Sequence, residues 1–423
     1  MTRCLVTIVL AVGALSVVCA VGHAEEPAQQ DPKAPRTGRS TGADFGGPTS
    51  VPNQIAEDAA PTGPVFRANT LRRALRPYYD WKACLQKRYG LQLAGDYTLL
   101  VQHLTESLGE ETAVGAIARV YGTWELVNRG CPGSGALVFK GENRYAMTDA
   151  APLGLGFESG YVGVTGPPFS DTRWALTNFY WRQRLFEDRV SVIAGVLDAT
   201  DYLDVYGLIN PWTSFQNLAF LTNPTISAPN QGLGIAAAGY LTKNLYVIGG
   251  VADANGDPTR NPFDAFDDSE WFKHVELGWT TGKDRFFLDN VHVTAWHADE
   301  RVRAGVEESW GLACSGAWFV CDRWMPFLRA GWAEGTASVW DRSVSAGVGY
   351  YFRERADLAA VGVSWGRPSG TDVEDQFTVE AFYRLQLLES MALTPSVQFL
   401  INPAANPDAD VVTLFGLRWR VAF

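Results

Sequence analysis

"LFGLRWRVAF", residues 414–423, closes the chain with two arginines set inside an apolar run. Wound as a helix, the stretch gives no clean stripe. Extended, it sorts at once. Phe415, Leu417, Trp419, Val421 and Phe423 fall on one face, and Gly416, Arg418, Arg420 and Ala422 on the other. An apolar face rich in aromatics opposite a small cationic face asks for hydrocarbon on one side and water on the other.

The same period-two pattern recurs upstream. In "ALVFKGENRY" (136–145) Lys140, Glu142 and Arg144 oppose Leu137, Phe139 and Tyr145. In "TVEAFYRLQLL" (378–388) Glu380 and Arg384 oppose Val379, Ala381, Tyr383 and Leu385. "HVELGW" (274–279) sets His274 and Glu276 against Val275, Leu277 and Trp279. Such runs last about 9 to 13 residues, the length with which a tilted strand crosses a bilayer.

A chain of 423 residues with 47% hydrophobic residues and a mean hydropathy of -0.06 is no helical membrane bundle, which needs repeated apolar runs of about 20 residues. The one long apolar run lies at the start. Arg3, a stretch from Leu5 to Ala20 and Gly22-His23-Ala24 read as a signal peptide, 1–24, so the chain is expected to be exported. Residues 25–66 are rich in Pro, Gly, Ala and charge and read as a disordered periplasmic leader. Residues 67–90 read as a short helical segment that Pro77 breaks or restarts. The net charge of -11 argues against nucleic acid as a partner. Glycine (42), Phe (22), Trp (15) and Tyr (15) are abundant, as suits an exported β protein.

Short turns such as "LTKN", "FEDR" and "LLES" interleave with long links such as the one between Thr200 and Gln231. Counting back from Phe423 puts every long link on one rim, with "GLGFESGYVGVTG" (154–166) assigned to such a link. The fold expected for residues 91–423 is therefore all-β, a transmembrane antiparallel β-barrel of about 16 strands. Its turns would be short on the periplasmic side and its loops long outside. Arginine facing acyl chains would cost about 2–4 kcal/mol at the midplane, so Arg418 and Arg420 should face an aqueous lumen. A barrel this wide leaves a channel, and no segment is long enough to be the folded plug of a large active transporter. A soluble sandwich or propeller fits less well, because its apolar face would not carry Trp, Tyr and Phe at strand ends.

Several stretches resemble the carbohydrate-selective porin family of the OprB type. They include "DVYGLINPWTSFQNLAF" (204–220), "PNQGLGIAAAGYLTKNLYVIGGVADANGDP" (229–258), "DNVHVTAWHADER" (289–301), "SWGLACSGAWF" (309–319), "DLAAVGVSWGRPSG" (357–370) and "VEAFYRLQL" (379–387). The likeness covers residues from about 69 to 423 and leaves the leader outside it. It implies an outer-membrane channel of a Gram-negative bacterium that passes monosaccharides and similar sugars by diffusion, with no catalysis and no cofactor. The same resemblance implies an arginine and acidic groups at the narrowing. Arg144 in "GENRY" is similar to that arginine.

The long link from Thr200 to Gln231 is the natural constriction: Trp212 and Phe215 offer flat faces to a pyranose ring, and Asp201, Asp204 and Asn217 offer hydrogen bonds. Either aromatic can instead fold the link onto the wall. The cluster Lys140, Glu142 and Arg144 holds charges of both signs on one face. Arg119, Arg182, Arg384, Glu380, Arg418 and Arg420 should line the pore, most of them simply solvated. No metal is expected: in "DANGDPTRNPFDAFDD" (253–268) Pro258 stands where a calcium loop needs its turning glycine. Cys84 and Cys131 both map to the periplasmic rim and are candidates for a disulfide. Expected partners are small sugars, outer-membrane lipid and the barrel assembly machinery, which would read the strand ending in Phe423. A homotrimer follows by analogy of fold. The alternative function is a general or weakly anion-selective pore, given the inward arginines. A barrel enzyme is disfavoured, because no Ser/His/Asp set shares a wall.

Overall fold

The computed structural model describes residues 45–60, 63–66, 68–353, 356–370 and 374–423. The signal-peptide reading and the leader up to residue 44 lie outside these. The described chain closes into a barrel of sixteen strands, each antiparallel to its neighbours in sequence, with the last returning to the first. They are β1 (Leu91–Leu104), β2 (Thr112–Val127), β3 (Gly135–Ala146), β4 (Arg173–Leu185), β5 (Val190–Leu197) and β6 (Gly232–Tyr240). There follow β7 (Leu245–Asp253), β8 (Trp271–Thr280), β9 (Asn290–Ala298), β10 (Ser309–Ala317) and β11 (Trp324–Glu334). The wall ends with β12 (Trp340–Phe352), β13 (Asp357–Pro368), β14 (Gln376–Leu388), β15 (Met391–Ile401) and β16 (Val411–Ala422). β16 closes on β1 in a register that runs from Asp96 opposite Ala422 to Leu104 opposite Leu414.

The two faces of the wall are inverted relative to a water-soluble protein. Phe415 is 52% exposed and Leu277 55%, whereas Arg418 is 1% and Glu380 0% exposed. Backbone hydrogen bonding is completed strand to strand around the ring, which is the condition for spanning hydrocarbon without an open edge. The links obey the alternation expected of them. β4 and β5, β6 and β7, and β14 and β15 join by turns of a few residues on one rim. The 147–172 and 198–231 links, from β3 to β4 and from β5 to β6, lie on the other. Within the first of these, residues 154–166 belong to the link, with a helical turn at Leu155–Glu158.

Two N-terminal expectations need correction. Residues 45–60 are not a free leader: Val51–Ala59 form helix α1 inside the barrel, with Val51, Asn53 and Gln54 buried. Composition suggested disorder because the segment lacks apolar residues enough for a core of its own. It needs few, since the lumen supplies charged and hydrogen-bonding partners. The second helix, α2 (Asn69–Tyr89), runs unbroken through Pro77. Proline removes one helical N–H and deprives the carbonyl four residues back of its donor. Here Arg73 and Pro77 are both exposed, so water can serve that carbonyl. Gly90 ends α2 in a left-handed conformation (φ 72°) that joins it directly to β1.

No disulfide joins Cys84 to Cys131. Cys84 sits on α2 and Cys131 in the β2–β3 turn, where it is exposed.

Candidate selectivity site in the lumen

Strand alternation aims Lys140, Glu142 and Arg144 of β3 into the barrel. Arg144 Nε donates to Glu142 Oε2 at 2.7 Å, and its Nη2 lies 2.6 Å from the same oxygen. The Lys140 ammonium stands 3.7 Å from Asp201 Oδ2, which also accepts from Asn178 Nδ2 at 3.1 Å. Asp201 belongs to a helical turn, Ala199–Asp201, at the start of the 198–231 link. That turn is set by Asp198, whose Oδ1 accepts from Thr200 N at 3.0 Å and whose Oδ2 accepts from Gln231 Nε2 at 2.6 Å. Burial pushes the Asp201 carboxyl up to about 6, with Lys140 pulling the other way.

These groups border a cavity of about 690 Å³ on the long-link side of the lumen, lined by Lys140, Glu142, Arg144, Asp198, Asp201 and Trp212 among others. Trp212 is held there by the Arg119 guanidinium, 3.6 Å from its ring centroid. Arg119 is itself fixed, its Nε donating to Asp96 Oδ1 at 2.8 Å. Lys140, Arg144, Glu142, Asp198, Asp201 and the Trp212 indole thus share one cavity, whose lining also carries Asp257, Arg260, Asp268, Arg301 and Arg303.

Other residues expected at the constriction do different work. Phe215 is buried against Phe220, Phe327 and Phe382, with ring centroids 4.8, 5.9 and 5.0 Å away, so its face is closed to a solute. Asn217 caps the short helix Leu218–Leu221, accepting from Ala219 N at 3.0 Å, and donates to Gln398 Oε1 at 3.0 Å. Asp204 is paired with Arg329 and lies 3.0 Å from His292 Nε2. All three anchor the link to the wall and none borders the cavity.

The inward charges are likewise not loose in water. Glu380 accepts the Gln216 and Asn217 N–H groups at 2.7 and 2.8 Å. Arg418 donates to the Pro211 and Ser214 carbonyls at 2.6 and 2.9 Å. Arg420 binds Asp58 through Nη1 at 2.8 Å and Asp96 through Nε at 2.8 Å. Arg384 stands 3.7 Å from Glu57. Arg182 borders a second cavity, of about 1130 Å³, at the short-turn rim. The two arginines of the C-terminal strand therefore hold lumenal chain: Arg418 the long link, Arg420 helix α1.

Sequence reading missed Asp198 and Gln231, which shape the Asp201 turn, and all of residues 45–60. The only sequence signal for α1 is Ser50 followed by Pro52, a helix start. Among the described residues no group of His, Cys, Asp and Glu has metal-binding geometry.

Comparison with known proteins gives a consistent picture. The family described as carbohydrate-selective porin, OprB family, matches residues 36–303 and 318–423. The match begins well before residue 69, so the likeness reaches into the segment that carries α1. Among solved structures, the high-pH structure of Pseudomonas putida OprB is similar, at 12% identity over 82% of this chain and 97% of that one, with a TM-score of 0.65. The low-pH structure of the same protein, at 10% identity over 82% of this chain and 96% of that one, has a TM-score of 0.49. A mutant of Rh. blastica porin, at 14% identity over 79% of this chain and 100% of that one, has a TM-score of 0.49. No curated protein matches.

Proposed function

The chain belongs to the OprB family of carbohydrate-selective porins, and from that premise we propose that the 690 Å³ cavity selects monosaccharides during passive diffusion. Family and fold are those of channel proteins. The observation that carries the reading is the pairing of opposite charges along the cavity wall: Arg144 with Glu142, Lys140 with Asp201. Each pair offers donors and acceptors to sugar hydroxyls while largely cancelling its own field, so a neutral polyol gains hydrogen bonds that a small ion does not need. Trp212, which borders the cavity but is 6% exposed with Arg119 against its ring, adds an apolar margin for the C–H groups of a sugar. Of the other inward arginines, Arg384, Arg418 and Arg420 are committed to holding lumenal chain.

We read the barrel as sitting in the outer membrane of a Gram-negative cell, long links outward, with the exposed Leu, Val and Phe side chains against lipid. The strand ending in Phe423 would be the one engaged by the barrel assembly machinery, and a homotrimer is the assembly suggested by the fold.

Liposomes carrying the protein should swell faster in glucose than in a disaccharide, and glucose should reduce the ion current through single channels. Arg144→Ala should weaken that block. Strong anion selectivity in a salt gradient, with no block by glucose, would transfer the protein to the anion-pore reading.

A further inference from the structure

Residues 45–60 enter the lumen and return to the rim they came from. Phe45 packs at the short-turn rim on Tyr240 and Phe286, with ring centroids 4.9 and 5.7 Å away. The chain then rises until Gly47 N donates to the Asp201 carbonyl at 2.6 Å. Gly47 has no room for a side chain, since a Cβ there would stand 2.7 Å from a Val205 methyl. Helix α1 descends from that point, and Val65 and Phe66 donate to the Gln386 and Leu387 carbonyls, both at 2.9 Å, back at the short-turn end of β14. Inside, α1 is held by side chains of the wall. Asp58 takes Arg420 and the Tyr121 hydroxyl (2.6 Å), Glu57 takes Arg384, and Gln54 accepts from Arg119 at 3.2 Å.

The position of this segment decides what can pass. The upper cavity, lined by Thr49, and the lower one, lined by Pro52, Ile55 and Asp58, share no lining residue. Between them lies a crevice of about 50 Å³ beside Gly46, Ser50 and Pro52, bordered by Asp201 above and Arg182 below. That is room for about one or two waters and not for a sugar. We propose that residues 45–60 are a tethered plug that sets the width of the channel, and that a sugar crosses only when the plug withdraws toward the short-turn rim. The latches suit such a role. They are charged pairs and hydrogen bonds whose wall partners would be rehydrated in an open lumen, and both ends of the segment already lie at the exit. The inference rests on the channel reading but not on which solute is preferred.

The test compares ion conductance of the full-length protein with that of two variants, one lacking residues 46–60 and one carrying Asp58→Lys, which turns the Arg420 latch into a repulsion. Heat-modifiable migration on gels reports barrel assembly in each. The deletion should conduct several-fold more and admit a trisaccharide that the parent excludes. Asp58→Lys should raise the time spent in the high-conductance level. Should the deletion fail to assemble, Asp58→Lys alone decides. Parent-like conductance and size limit in the assembled variants would overturn the plug. Conductance in KCl reads the plug even if glucose proves not to be preferred, so the two proposals fail separately.

Discussion

The Asp201 carboxylate gives the cavity a pH response whose sign and size follow from its surroundings. Burial holds the group at about 6, so it is about nine-tenths ionised at pH 7 and about one-tenth at pH 5. Lys140 faces it at 3.7 Å, Asn178 at 3.1 Å, and Asp198 lies on the same turn. Acidification therefore removes nearly one negative charge from a cavity lined by Lys140, Arg144, Arg260, Arg301 and Arg303 against Glu142, Asp198, Asp201, Asp257 and Asp268. Lowering the pH disfavours cations and favours anions. An ion passing about 4 Å from a unit charge in water feels about 1 kcal/mol. Losing about 0.8 of a charge removes that attraction from a cation and that repulsion from an anion, about 1.6 kcal/mol in their ratio. At about 1.4 kcal/mol per tenfold, the cation-to-anion permeability ratio should fall on the order of tenfold between pH 7 and pH 5. Reversal potentials in a KCl gradient, read at low ionic strength where screening is weak, measure this directly. Asp201→Asn should abolish the inflection and sit at the low-pH ratio throughout. An inflection near pH 6 that persists in Asp201→Asn, or its absence in the parent, would refute the assignment.

Arg418→Ala strips two buried carbonyls of a charged donor, each bond worth about 1.5–3 kcal/mol, so backbone amides of residues 212–217 should exchange with deuterium about 100-fold faster while the barrel stays assembled. Val275→Arg puts a charge on the exposed apolar face of β8 and should cost about 2–4 kcal/mol of stability in lipid bilayers, measured by denaturant unfolding. Cys131, exposed and without a disulfide to Cys84, should react with a maleimide in the folded protein without prior reduction; resistance to labelling until reductant is added would contradict the structure.

The wall was legible because a strand in this setting has only two faces and each meets a different solvent. Arg418 and Phe415 could not both be placed any other way, and the same logic fixed Glu276 inward and Leu277 outward. The contents of the lumen were not legible to the same degree. Alternation says that Glu380 points inward, but not that Gln216 and Asn217, some 160 positions earlier, bring their N–H groups to it. Phe215 and Trp212 are equivalent in sequence, two aromatics in one aromatic link. Only tertiary packing separates them, Phe215 into a cluster with Phe220, Phe327 and Phe382 and Trp212 to the cavity. The helix at Val51–Ala59 was hidden for a related reason: its partners are wall residues such as Arg420 and Arg384, and nothing local announces them.

Why a sugar pore should fill its interior with arginine follows from geometry. A cylinder of sixteen strands is too wide for its own side chains to discriminate among small solutes, so the narrowing must come from inserted chain. Inserted chain that is not regular structure carries unpaired carbonyls and amides, and each must find a partner or remain costly. The wall can supply partners only through long inward side chains, and arginine reaches furthest with the most donors. Arg418 on the Pro211 and Ser214 carbonyls, Glu380 on two amides and Arg329 on the Phe220 carbonyl meet that need. Charges at the cavity, by contrast, are paired with each other, as Arg144 is with Glu142 and Lys140 with Asp201. The count of inward cations is therefore a poor guide to ion preference in such a barrel. What separates a structural arginine from a selecting one is whether its hydrogen bonds hold inserted chain, as those of Arg418 and Arg420 do, or leave it on the wall of the upper cavity, as with Arg144.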